Sequence, residues 1–173
     1  LKYDIWLRMA GNRRQLFTDD IGAYETYMKI VRMKEKRHSR RYFEAAIGAA
    51  RYLRERKRYD EAIKTLMKMA FADKRGYWRA RALLPLAQTY AEAGKPEQAI
   101  EACEDVLDEK GIGNQQRRTA LLIKAQSLAA ANNPKKAKTV YETLLNEHNP
   151  KGEIREKAEQ ALKKLSENRE PAE

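Results

Sequence analysis

Apolar residues recur along this chain at helical spacing. Leu83, Leu86, Ala87 and Tyr90 stand at i, i+3, i+4 and i+7, one face of an α-helix. Gly94 ends that helix, and Pro96 stands where a first helical turn tolerates proline. Ile100, Cys103 and Leu107 then line a second helix, so this stretch predicts a helical hairpin. The figure returns 38 residues later, with Asn132-Asn133-Pro134 in place of Gly94-Lys95-Pro96.

Four copies can be aligned. Ala99 anchors one, with Tyr90 nine residues before it, Ala87 three before that, and Cys103 four after the anchor. Ala137 has Leu128, Ala125 and Tyr141 at the same offsets, and Ala62 has Leu53, Ala50 and Leu66. Ala23 with Tyr27 anchors the first copy, where "ETYMKIV" matches the later "KTLMKMA". The intervals are 39, 37 and 38 residues, giving hairpins over about 4–36, 41–73, 78–110 and 116–149. Small anchors let two helices approach closely, and a lone hairpin cannot bury both faces, so neighbours must stack. Met28 and Met67 share one slot and are expected in the core, and Asn114 is expected to cap the first helix of the fourth hairpin. Pro85 falls inside a first helix. A helix starting near Ala82 would place it in the first turn; one starting near Tyr77 would make it interior and predict a kink.

These spacings resemble the tetratricopeptide repeat, whose first helix carries a large residue, Leu, Gly or Ala, and Tyr, followed by Ala, an aromatic and Pro. The third copy supplies Leu83, Leu86, Ala87, Tyr90, Gly94 and Ala99, and the fourth Leu121, Ala125, Leu128, Ala137 and Tyr141, with Pro150 one residue late. The second supplies Ala46, Ala49, Ala50, Leu53, Tyr59, Ala62 and Leu66. The first has Leu7, Ala10 and Gly11, but Arg14 where an apolar residue belongs. That family's unit is about 34 residues, so the surplus lies between hairpins, as longer second helices or longer loops. The resemblance implies an all-α, right-handed α-solenoid of stacked antiparallel hairpins. Residues 151–167 read as a capping helix with Ile154, Ala158, Ala161, Leu162 and Leu165 inward, and Glu153–Lys157 and Glu159–Lys163 paired outside. The polar tail 168–173 is expected to fray.

Composition narrows the classes. At 42% hydrophobic the chain is too apolar for disorder, and it has no apolar run of the roughly 18 residues that cross a membrane. A soluble protein is expected, with the cytoplasm favoured. The first residue is Leu, which suggests processing or a piece of a longer chain. Of the net charge of +11, residues 1–60 hold +8 (sixteen Lys or Arg against eight Asp or Glu), concentrated between Arg32 and Arg58. Such a patch is either a solvated face or a surface that attracts acidic partners.

Catalytic chemistry is not evident. His38 and His148 have no metal-ligand neighbours, Cys103 occupies an apolar slot, and "KGIGNQ" lacks the spacing of a phosphate loop. No enzyme activity, metal or cofactor is expected. The expected function is a protein–protein interaction scaffold. The resemblance implies that first helices line a concave surface, which selects the residues beside each packing stripe: Ile47, Arg51 and Arg54; Leu84 and Gln88, with Arg81 nearby; Leu122 and Gln126. Some family members clamp a carboxylate with Lys and Asn on these faces, and those residue types are missing here. The expected ligand is a peptide with apolar anchors and an acidic end near Arg51, Arg54 and Arg81. Two alternatives stand beside it: a nucleic-acid-binding repeat using Tyr42, Tyr52 and Tyr59 among the arginines, and a structural segment of a larger assembly.

Overall fold

The computed structural model describes residues 2–17, 20–33, 39–72 and 77–167. Its helices are α1 (Lys2–Phe17), α2 (Asp20–Val31), α3 (Arg40–Glu55), α4 (Tyr59–Ala72), α5 (Tyr77–Glu92), α6 (Pro96–Asp108), α7 (Asn114–Ala130), α8 (Pro134–His148) and α9 (Glu153–Glu167). No strand occurs among the described residues, and the fold is an all-α helical repeat of the solenoid class. No described helix is long and apolar enough to cross a membrane. First helices run 16 or 17 residues and second helices 12 to 15. The tail 168–173 lies outside the described residues.

The chain forms two compact units, Leu1–Thr89 and Tyr90–Glu173, with the division inside α5. In the first unit α1 packs on α2 and α3, α2 on α3, and α3 on α4. Ala10, Ala23, Tyr27, Ile30, Ala45 and Ala49 form a core there, flanked by Trp6, Leu7, Tyr24 and Met28. The helices approach so closely at Gly48 that a Cβ built there would lie 2.6 Å from the Tyr27 ring. In the second unit α7 packs against α6, α8 and α9, and α8 against α9. Leu121, Leu128, Ala137, Tyr141 and Leu144 make its core, and Ala158 with Ile154, Ala161, Leu162 and Leu165 of α9 covers one side. The anchors are buried throughout: Ala23 at 2% exposure and Ala62, Ala99 and Ala137 at 0%. Met67 departs from expectation, being exposed while Met69 is buried. The stripe of α4 runs Ala62, Leu66, Met69, which leaves Met67 roughly 100° round the helix from Leu66.

Three hairpins are closed by the same turn. Lys57, Gly94 and Asn132 each adopt left-handed backbone, with φ of 58°, 71° and 57°. The following amides of Arg58, Lys95 and Asn133 donate five residues back, to Leu53, Tyr90 and Leu128, at 2.8, 2.9 and 2.8 Å. Together with the Lys57, Gly94 and Asn132 amides, which donate to Arg54, Ala91 and Ala129, these bonds satisfy carbonyls at the helix end in the Schellman arrangement.

Some local expectations are corrected. Helix α5 begins at Tyr77, so Pro85 is interior. The Thr89 hydroxyl, which is fully buried, donates to the Pro85 carbonyl at 2.6 Å. Gly113, not Asn114, is the N-cap of α7, and its N–H donates to Gln116 Oε1 at 2.8 Å. The shift by one residue puts a glutamine where the reciprocal contact of a capping box requires it. On α9, Glu153 pairs with Lys157 at 2.6 Å, but Glu159 pairs with Arg155 at 2.8 Å and Lys163 reaches Glu167 at 3.9 Å. Arginine sits one turn before Glu159, and its fork matches a carboxylate better than an ammonium does.

Candidate interaction surface

Ile47, Arg51 and Arg54 stand at i, i+4 and i+7 on α3 and so share a face. Arg51 is exposed, while Ile47 and Arg54 are half-buried. On α5, Arg81 is exposed and Leu84 and Gln88 are half-buried. In the second unit Gln126 is exposed, but Leu122 is only 6% exposed and belongs to the core. Helix α7 packs against α6, α8 and α9, and Leu121, Leu122 and Ile123 are all buried in succession. Arg118 and Lys124 extend the same helix's contacts: Arg118 Nε donates to the His148 carbonyl at 2.7 Å, and Lys124 pairs with Glu104 of α6 at 2.9 Å.

Gln126 lines a cavity of about 330 Å³ in the second unit. Its walls are small residues, Ala91, Pro96 and Ala130, with polar Glu92, Gln126 and Ser127. The Ser127 hydroxyl is buried and has no hydrogen-bond partner among the described residues. In the first unit a recess of about 440 Å³ opens at the start of α3 beside Ser39, Arg40, Arg41 and Glu44. Arg40 is held there by Glu44 at 2.7 Å, and the Ser39 hydroxyl accepts from the Tyr42 amide at 3.2 Å.

The tyrosines among the arginines do not form an open platform. Tyr42 is buried, edge-on to Phe43, and Tyr59 is half-buried. Tyr52 instead stacks on Tyr24 of α2, with ring centroids 4.5 Å apart and planes 17° from parallel. The Arg56 guanidinium lies over Tyr52, 5.5 Å from its centroid. Beside them Arg58 grips Glu61 through two bonds of 2.6 and 2.8 Å. These bonds raise the pKa of Arg58 and lower that of Glu61. Sequence reading missed this corner because Tyr24 and Tyr52 come from different helices and only the α2–α3 packing brings the rings together.

Cys103 is fully buried, and burial pushes its thiol up to about 12, so it carries no thiolate at neutral pH. No group of His, Cys, Asp and Glu among the described residues is disposed to hold a metal ion. His38 lies outside the described residues.

Residues 81–109 and 119–148 match the family model of the tetratricopeptide repeat. Among solved structures, the chain is similar to the TPR domain of P58(IPK), with a TM-score of 0.58 at 19% sequence identity. The match covers 98% of this chain and 48% of that one, so the chain spans about half the length of that structure. At this identity the likeness concerns the fold. No curated protein sequence matches the chain.

Proposed function

We propose that this chain, of which residues 81–109 and 119–148 match the tetratricopeptide-repeat model, acts as a non-catalytic scaffold for protein–protein interaction and grips a peptide segment with apolar anchors and an acidic end. The observation that carries the reading is the face of α3, where exposed Arg51 has no ion-pair partner among the described residues and stands beside half-buried Ile47 and Arg54. An uncompensated cation next to partly covered apolar surface suits a ligand that brings both a carboxylate and an apolar side chain. Arg81, Leu84 and Gln88 on α5 are the further contacts proposed in the first unit, and Gln126 with its cavity is a separate one in the second. Leu122 supports the second unit from within. Each charge-assisted contact contributes about 1.5–3 kcal/mol once the ligand shelters it, against about 0–1 kcal/mol for an exposed pair.

The test uses a fluorescein-labelled helical peptide with leucines on one face and glutamates at one end, beside a version with lysines in place of the glutamates. The parent protein should bind the acidic peptide and reject the basic one, by fluorescence anisotropy. A double variant, Arg51→Glu with Arg54→Glu, should keep its circular dichroism and lose the acidic peptide. If that variant binds it as well as the parent, while changes at Arg40 and Arg41 remove binding, the Ile47–Arg51–Arg54 patch is not the site and the basic start of α3 is. A nucleic-acid role would instead appear as tight oligonucleotide binding that weakens steeply with added salt.

A further inference from the structure

The end of α3 carries more cationic charge than the helix needs. Basic residues near a helix C-terminus are favoured by the macrodipole, and one or two suffice for that. Here Arg54, Arg56, Lys57 and Arg58 follow one another with only Glu55 between them. Arg58 is neutralised by Glu61, whereas exposed Arg56 and Lys57 form no ion pair with any described residue. Arg56 lies over the Tyr52 ring, Tyr52 is stacked on Tyr24, and the backbone of Lys57 is fixed by the hydrogen-bonded turn. Ordering a free arginine costs side-chain entropy on binding, and a guanidinium already seated on a ring loses less.

We propose that the corner made by Tyr24, Tyr52, Arg56 and Lys57 is a docking site for an acidic peptide, one presenting consecutive Asp or Glu carboxylates. The class of partner rests on the scaffold reading above, but the surface is a different one. Tyr52 follows Arg51 directly and so lies roughly 100° round the helix from the Ile47–Arg51–Arg54 face. A guanidinium held over the Tyr52 ring offers a fork to a carboxylate, and the adjacent ammonium meets the next acidic residue. A single nucleic-acid strand fits less well. Affinity for such strands comes largely from bases stacked on aromatic faces, and Tyr52 has Tyr24 and Arg56 on its faces.

The experiment uses the whole chain and a fluorescein-labelled oligoglutamate peptide without apolar anchors, read by anisotropy at fixed ionic strength. The variant R56Q/K57Q should bind about tenfold more weakly. The variant K135Q/K136Q removes the same charge from exposed sites on α8 and should change affinity by less than about twofold. Arg56→Lys keeps the charge but not the fork and should fall between parent and double variant. Equal losses from the two double variants, or none from R56Q/K57Q, would overturn the corner as a site. Tighter binding of an oligouridylate of equal charge would overturn the choice of a peptide. The groove reading is probed separately: R51E/R54E with the leucine-bearing peptide can fail while R56Q/K57Q still weakens oligoglutamate binding, and the converse can also occur.

Discussion

Lys57 occupies a backbone position that its side chain disfavours. The equivalent residues are Gly94 and Asn132, and all three have positive φ. For an ordinary L-residue this conformation costs about 1–2 kcal/mol, and glycine is largely free of that cost. Lys57→Gly should therefore stabilise the chain by about 1 kcal/mol, and Gly94→Ala should destabilise it by about as much, both read from urea midpoints. Beyond its chain neighbours, no atom of a described residue lies within 4 Å of a Cβ at Gly94, so no clash confuses the second result. Equal stabilities for parent and Lys57→Gly would mean that the turn relaxes. Gly94 and the Asn132-Asn133-Pro134 run could be read from the sequence because those residues favour such a turn. Lysine gives no such signal, and the Lys57 turn was legible only through the repeat spacing. Asn114 misled for a related reason: it is a favoured N-cap residue, but glycine can also take that position and here Gln116 completes the contact.

Helix packing was the most legible level. Apolar stripes at i, i+3, i+4 and i+7 have a direct steric meaning, and the small anchors they pointed to are buried. The offset of a stripe by one residue was harder. Met67 is exposed and Leu122 is buried, because which side of a helix meets a neighbour depends on how many neighbours it has. Gly48 gives a sharp test of the α2–α3 contact. A methyl there would meet the Tyr27 ring at 2.6 Å, and Tyr27 is only 8% exposed, so the ring has little room to move. Alanine favours helix over glycine by about 1 kcal/mol, yet overpacking costs about 1–3 kcal/mol. Gly48→Ala should thus be neutral to destabilising by as much as about 2 kcal/mol, and it should turn stabilising when combined with Tyr27→Leu. Thermal unfolding of the four proteins in that cycle decides the matter; a stabilising Gly48→Ala in the parent background would show that the helices lie further apart.

At the scale of the whole molecule, stacking leaves a last apolar face that something must cover. In the second unit α9 does this with Ala158 and four partly buried neighbours. Deleting residues 151–173 should lower the stability of that unit by on the order of 3–5 kcal/mol and increase binding of a hydrophobic dye. Unchanged stability would mean that α9 is dispensable. The fold class was readable at this scale because repetition multiplies a weak signal. The interaction surface was not, since it depends on which half-exposed residues of different helices meet, as Tyr24 and Tyr52 do. The excess charge of residues 1–60 located a region but could not separate solvated arginines from Arg56, which is seated on a ring.

The closed turn after α3 also bears on proteolysis. Arg56, Lys57 and Arg58 are three adjacent exposed trypsin sites in a loop, which by composition is an ideal place for nicking. A protease needs an extended stretch of backbone, and here the Lys57 and Arg58 amides are both bonded back into the helix at 2.8 Å. Cutting must therefore wait until the end of α3 opens, and its rate under native conditions should track the stability of the first unit rather than the exposure of the side chains. Low urea should accelerate cleavage at these bonds well before the global midpoint if the helix end opens locally, and in step with unfolding if it does not. Rapid nicking in the absence of urea would show the turn to be open.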